Sequence, residues 1–281
     1  MNKQIPMRFA HRGLCQHAPE NTLGAFEAAV VFGCEGIELD VRLSKDGVPM
    51  VVHDQTLARL TQGTQPGKIC ELTAAEIQAA DIPYAGNLLP YAPPVPYSEN
   101  LGSVAVYTPE EVAAAKEIDR RIAHIMTFAE FDRWYATVKA DVTVEVELCS
   151  DGLVKPMYEI VKNSPNRARY IFFSGNTPTN TEINSLIKEH GKPEWLRLGA
   201  NLRRLTPEAV EFVEDASLYE VGLNDQWFTE DDVKYLNDKG IKVFSNLGDY
   251  PEWWQTINEL NIEAFKTNYA EAYTDWKKEN L

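Results

Sequence analysis

The sequence predicts an α/β fold in which eight parallel strands, each followed by a helix, close into a barrel. Two observations carry that expectation. Short apolar runs that read as strands alternate with amphipathic stretches that read as helices along nearly the whole chain. The strand-like runs lie near 7–10, 36–42, 142–148, 168–174, 196–201, 218–222, 241–246 and 263–267. An open doubly wound sheet gives the same alternation, so the count of eight carries the preference. At 281 residues and 44% hydrophobic, the chain has enough material for one sizeable core, and one domain over 1–281 is expected.

Local signals justify the elements in order. The first run, MRFA, leads into His11, and Asn21 or Thr22 stands where a cap is needed for a helix ending at Phe32. The second run, GIELDVRL, meets the turn Lys45-Asp46-Gly47, which should fold VPMVVHD back as a hairpin and return His53 toward the same mouth. Thr73 with Glu76, and Thr127 with Glu130, have capping-box spacing. Between them, residues 84–107 are rich in Pro, Tyr and Gly, and Thr108-Pro109-Glu110-Glu111 signals a further helix. This stretch is expected to be an ordered insertion, read either as a surface excursion or as a cap over the barrel mouth. Farther on, Thr206-Pro207 puts proline at a first helical position, and Thr229 opens a helix closed by Gly240.

Composition narrows the partners. A net charge of −15 argues against nucleic acid or an anionic membrane as the main partner. No run approaches the length of a membrane span, and MNKQIPMRFA lacks an apolar run of signal-peptide length. Cys15, Cys34, Cys70 and Cys149 show no CxxC spacing, so they are read as reduced thiols and the expected location is cytoplasmic. Oligomeric state is left open.

Chemistry concentrates in RFAHRGLCQHAPENT at 8–22, GIELDVRLSKDGVPMVVHD at 36–54 and VTVEVEL at 142–148. Along the second strand Ile37, Leu39 and Val41 face one way, Glu38 and Asp40 the other. In the third acidic stretch, Val144, Val146 and Leu148 oppose Glu145 and Glu147. A barrel packs the apolar set under its helices and turns the acidic set into its lumen. Converging carboxylates become protonated or share a cation, and oxygen ligands suit Mg²⁺ or Ca²⁺. The competing reading is an antiparallel strand with a wet acidic face.

His11 and His53, each after a strand-like run, are candidate acid and base, and Arg12 offers forked donors for a phosphate or carboxylate. His17 and His124 are read as structural. Three reactions compete on these residues. Glycoside hydrolysis needs only paired carboxylates. Enolisation over Mg²⁺ needs a base and ligands on several strands. Phosphoryl-group chemistry uses the metal, the arginine and both histidines, and fits best.

At these residues the sequence resembles the glycerophosphodiester phosphodiesterase family. AHRG at 10–13, PENT at 19–22, GIELDVRLSKDGVPMVVHD at 36–54 and the ExE strand at 145–147 stand in the family's order. LARLTQGTQPGKICELTAAEI at 57–77 extends the likeness, which thins beyond Leu148. The resemblance implies a TIM barrel with a small insertion after the second strand, about 55–125. It implies a divalent metal, Mg²⁺ or Ca²⁺, on Glu38, Asp40 and Glu145, with His11 and His53 as acid and base. Arg12 would hold the phosphate, and Glu20 and Asn21 would line the substrate site. The implied reaction is hydrolysis of a small glycerophosphodiester to glycerol 3-phosphate and an alcohol. Glu147, read with the substrate-binding residues, stands where the family has a lysine. It can join the metal shell, face a positive group on the substrate or pair with a cation, Lys266 or Arg197, and pairing with Lys266 is expected. VFSNLGDY at 243–250 and TNYA at 267–270 also depart from the family pattern. Two alternatives follow: a phospholipase-D-like lyase that stops at a cyclic phosphate, or a phosphodiester-binding relative without turnover.

Overall fold

The computed structural model describes residues 5–83, 121, 123–174, 177–202, 204–215, 218–224, 229–247 and 249–281. Its strands are β1 Met7–His11, β2 Gly36–Leu43, β3 Pro49–Val51, β4 Thr143–Leu148, β5 Tyr170–Ser174, β6 Arg197–Leu202, β7 Glu220–Leu223, β8 Lys242–Ser245 and β9 Ala264–Thr267. They run in the order β1-β9-β8-β7-β6-β5-β4-β2-β3, and β1 also pairs with β2. The eight parallel strands therefore close on themselves. β3 lies outside the ring as the antiparallel partner of β2, which is the hairpin expected at Lys45-Asp46-Gly47.

The helices are α1 Leu23–Phe32, α2 Ala74–Gln78, α3 Phe128–Tyr135, α4 Val154–Val161, α5 Thr177–His190, α6 Pro207–Asp215, α7 Glu230–Asp238, α8 Pro251–Glu259 and α9 Ala270–Asn280. Their starts follow side-chain chemistry. Thr22, not Asn21, caps α1 by accepting from Ala25 N, and Gly33 ends it at φ 84°. Thr73, Thr127 and Thr229 each form a full capping box, with Glu76, Glu130 and Asp232 reaching back. Losing such a cap costs about 1 kcal/mol.

Alternation along the strands divides the core in two. The outward set, Ile37, Leu39, Val41, Val144, Val146 and Leu148, packs in one cluster with Phe26, Phe128 and Phe131 from the helices. On the other side Val221, Leu223, Val243 and Phe265 meet Val233, Leu236, Trp253 and Trp254. Each large side chain so buried contributes about 1.5–3 kcal/mol. The inward set begins with an apolar plug of Phe9, Ile171, Phe244 and Ala264. Phe9 meets Phe244 edge-on at 5.2 Å. A Cβ on Gly36 would lie 2.5 Å from the Phe9 ring, so β2 needs glycine there. Above this plug the inward positions carry charge.

The described part of the insertion has a small core of its own. Leu57, Leu60, Ile69, Ala74, Ile77 and Ala80 pack with Met50, Val52 and Ile125 beside the hairpin. The Pro- and Tyr-rich stretch 84–107 and the helix expected after Thr108 lie outside the described residues. Among the described residues, no helix is long and apolar enough to cross a membrane.

Candidate active site at the barrel mouth

His11 ends β1, and the chain turns sharply behind it. Arg12 and Asn21 both take left-handed backbone angles, φ 57°, and Gly13 follows at φ 83°. A Cβ on Gly13 would lie 2.7 Å from that of Ala25. Such strain persists only where surrounding bonds over-determine it, and here they do. Asn21 N donates to Arg12 O at 2.9 Å. Its side-chain amide spans to β2, Nδ2 donating to Asp40 Oδ2 at 2.9 Å and Oδ1 accepting from Asp40 N at 3.3 Å.

Arg12 lies across the acidic row. Its backbone N–H donates to Glu38 Oε2 at 3.1 Å and its Nη1 to Glu20 Oε1 at 3.1 Å. Its Nε is 3.2 Å from Asp40 Oδ2. Burial opposes the guanidinium charge, but Glu20, Asp40 and Glu38 together raise its pKa and hold it protonated. Against burial, Arg12 keeps Asp40 below the ordinary carboxylate range, and Arg12 with Arg59 does the same for Glu20. Glu38 goes the other way, pushed well up by burial and by Asp40.

Each candidate histidine has one ring nitrogen tied down. His11 Nδ1 lies 2.8 Å from Asn268 Oδ1. Asn268 cannot turn, because its Nδ2 donates to Asp249 Oδ2 at 2.8 Å and its backbone N to Asp249 Oδ1 at 3.1 Å. Its oxygen thus accepts from His11 Nδ1–H, leaving Nε2 with a lone pair, 3.9 Å from Glu38 Oε2. Burial and then Arg12 lower the His11 pKa to about 3, so the ring is neutral. His53 Nδ1 lies 2.7 Å from Asp54 Oδ1. Arg59 fixes that carboxylate at 2.8 Å and continues to Glu20 at 2.7 and 2.8 Å. His17 is apart from all this, in an exposed pair with Glu271 at 3.0 Å.

The β4 carboxylates part company. Register sets Glu145 beside Glu38 and Glu147 beside Asp40. Lys266 Nζ lies 2.8 Å from Glu145 Oε1, which corrects the expectation that this lysine pairs with Glu147. Period 2 gives both glutamates the same face, but the closure of β9 onto β1 brings Lys266 to the deeper of the two levels. Burial works against the ammonium, yet Glu145, Glu38, Glu220 and Glu147 together raise its pKa. Glu147 instead forms a group with Asp40 and Cys149 whose donor atoms all lie within 4.8 Å of one another. Such a group of oxygen and sulfur donors fits a divalent cation.

Sequence reasoning gave His11, Arg12, Glu20, Asn21, Glu38 and Asp40, which direct contacts tie together, and His53, tied to Glu20 through Asp54 and Arg59. It missed Asp54, Arg59, Asn268, Asp249 and Cys149 as parts of the site. Cys149 had a signal, since it continues the period of Glu145 and Glu147. Asp249 and Asn268 had none, because they reach His11 only through barrel closure.

A phosphodiesterase of Oleispira antarctica, solved in complex with the product sn-glycerol-3-phosphate, shares this fold with a TM-score of 0.72 at 21% identity, covering 98% of this chain and 97% of that one. A glycerophosphodiester phosphodiesterase of Thermotoga maritima does so with 0.65 at 25% identity, covering 97% and 98%. Glycerophosphodiester phosphodiesterase 1 of Homo sapiens is 46% identical over 69 residues, 25% of this chain and 20% of that protein. A glycerophosphodiester phosphodiesterase of Bacillus altitudinis is 38% identical over 104 residues, 37% of each. The matched stretches thus span a fifth to just over a third of these relatives' length. The model of the glycerophosphoryl diester phosphodiesterase family matches residues 11–272, from the histidine that ends β1 to the last helix, and the chain belongs to that family.

Proposed function

We propose that the protein hydrolyses a small glycerophosphodiester to glycerol 3-phosphate and an alcohol, in a metal-dependent reaction with histidine acid–base catalysis. The observation that carries this reading is the pair of imidazoles, each with Nδ1 bound to an acceptor that the fold itself anchors. Such anchoring sets the tautomer and aims the other nitrogen. His11, whose Nε2 carries the lone pair, is placed to take the proton of the attacking hydroxyl, and His53 to return one to the leaving alcohol. Arg12 supplies the buried positive charge for a phosphate oxygen, while Glu20 and Asn21 fix its position.

Glu38 and Asp40 on β2, with Glu145 or its neighbour Glu147 on β4, would hold a divalent cation, Mg²⁺ or Ca²⁺ in the first instance. When bound, that ion neutralises phosphate oxygens and acidifies a coordinated hydroxyl. The cost of Glu147 beside an anion is relieved if it serves as a donor, which removes the motive for a relative without turnover. The test is turnover of glycerophosphocholine with added divalent ions and with chelator. Metal-dependent release of glycerol 3-phosphate is expected. Full activity in excess chelator would overturn the metal dependence, and a persistent cyclic phosphate would favour the lyase.

A further inference from the structure

The acidic row occupies one side of the barrel mouth, on β2 and β4. The other side, from β6 to β9, carries carboxamides at successive strand ends: Asn201 on β6, Asn224 after β7, Asn246 after β8 and Asn268 after β9. Asn268 is committed to His11 and Asp249. The remaining three have no part in the chemistry above. Asn246 Nδ2 donates to Asn224 Oδ1 at 2.7 Å, which turns Asn246 Oδ1 toward Gly222. A Cβ on Gly222 would lie 2.8 Å from Asn246 Oδ1 and 2.4 Å from Asn201 Oδ1, so two amide oxygens converge over that glycine. Asn201 Oδ1 is 3.5 Å from Lys266 Nζ, at the limit of a hydrogen bond. Asn246 has only 8% of its surface exposed, and its Oδ1 is buried with no hydrogen-bond partner among the described residues. A buried acceptor left unmet costs about 1–3 kcal/mol. Two acceptors aimed at one point also repel each other, and a donor between them relieves both.

We propose that Asn246, with Asn201 beside it, is the specificity-determining acceptor for the terminal hydroxyl of the substrate's glycerol. This rests on the hydrolytic reading above and assigns each end of the substrate to a side of the mouth. His11 receives the proton of the attacking hydroxyl at the end of β1, and β9 alone separates β1 from β8. Two strand spacings are about 10 Å. A three-carbon glycerol with a hydrogen bond of about 2.8 Å at each end covers that span. The hydroxyl beside the ester then faces His11, and the terminal hydroxyl donates to Asn246 Oδ1. The leaving alcohol lies on the other side of the phosphate, toward His53. A carboxamide oxygen accepts from a hydroxyl and gains nothing from a methyl or an ester, so the asparagines select a glycerol free of acyl chains.

Calorimetric binding of two phosphates to the full chain, with Mg²⁺ present, tests this without turnover. Glycerol 3-phosphate carries the terminal hydroxyl, and propane-1,2-diol 1-phosphate lacks only that group. The native protein should bind the first about tenfold tighter or more. Asn246→Ala should bring the two within about threefold of each other, by weakening glycerol 3-phosphate alone. Asn246→Asp keeps the acceptor and should keep the preference, with both phosphates weakened together. If Asn246→Ala fails to fold, Asn201→Ala takes its place and should lower the ratio by about threefold or more. The ratio of kcat/KM for glycerophosphocholine and 2-hydroxypropyl phosphocholine should move in parallel. Equal binding of both phosphates by the native protein, or a preference that survives Asn246→Ala, would overturn the inference alone. Binding of neither phosphate, with no turnover of glycerophosphocholine, would overturn the hydrolytic reading and this inference with it.

Discussion

His11 shows how one side chain acquires a role from its neighbours. Its ring would be an ordinary buried imidazole if Asn268 were free to rotate, but Asp249 holds both donors of that residue's amide and backbone. We expect His11→Ala and His53→Ala each to lower kcat by about 10²-fold or more without unfolding the protein. Asp249→Ala should lower kcat by up to about 10²-fold through misplacement of the same ring, with KM little changed. Near-normal turnover of either histidine variant at neutral pH would remove that residue from the chemistry. Lys266 is a structural counterpart. Lys266→Met leaves Glu145 buried without its partner and should cost about 3–5 kcal/mol in urea unfolding, most of it recovered in Lys266→Met with Glu145→Met. Equal loss in the single and double variants would show that the pair is not what the lysine stabilises.

At the scale of elements, the turn after β1 links backbone strain to chemistry. Gly13 permits it, and through Asn21 it fastens the first strand's loop to Asp40 on the second. Gly13→Ala should therefore cost about 2–3 kcal/mol, combining an unfavourable backbone angle with overpacking against Ala25. A shift of the denaturation midpoint by much less would mean that the turn relaxes. The Pro- and Tyr-rich stretch lies outside the described residues. Removal of 88–106 is expected to leave barrel unfolding cooperative and to change preference among glycerophosphodiesters. Loss of a single cooperative transition would make that stretch part of the core.

For the whole molecule, two sets of carboxyls pull stability in opposite directions with pH. Burial raises Asp249 to about 6 and also raises Glu38, Glu145, Glu147 and Glu220. A raised carboxyl keeps its proton in the fold after the unfolded chain has lost it, so stability falls as pH rises through the folded pKa. Glu20, Asp40 and Asp54 are lowered, against burial, by Arg12, Arg59 and His53. Their contribution is present above the unfolded range near about 4 and is lost as pH falls through the folded values. His11, lowered to about 3, adds a contribution that is lost as pH falls below the ordinary imidazole value of about 6.5. The metal-free protein should therefore melt highest at about pH 6–7 and lower toward about pH 4 and about pH 9. Calorimetry in chelator checks this, and a steady rise in Tm from acid to alkali would contradict it.

The sequence by itself determined the strands to within a few residues, the caps at Thr73, Thr127 and Thr229, and the face that each acid presents. These are local properties, fixed by a period of two and by side chains that reach three residues along a helix. It also determined the residues tied together around Arg12, because their motifs lie at the ends of neighbouring strands. Only the tertiary structure decided what meets across the lumen. His11 finds Asn268 across 257 positions, and Lys266 chooses Glu145 over Glu147. The period gives both glutamates the same face and cannot rank their depth. That ranking follows from the register with which the last strand closes on the first, a property that no single segment carries.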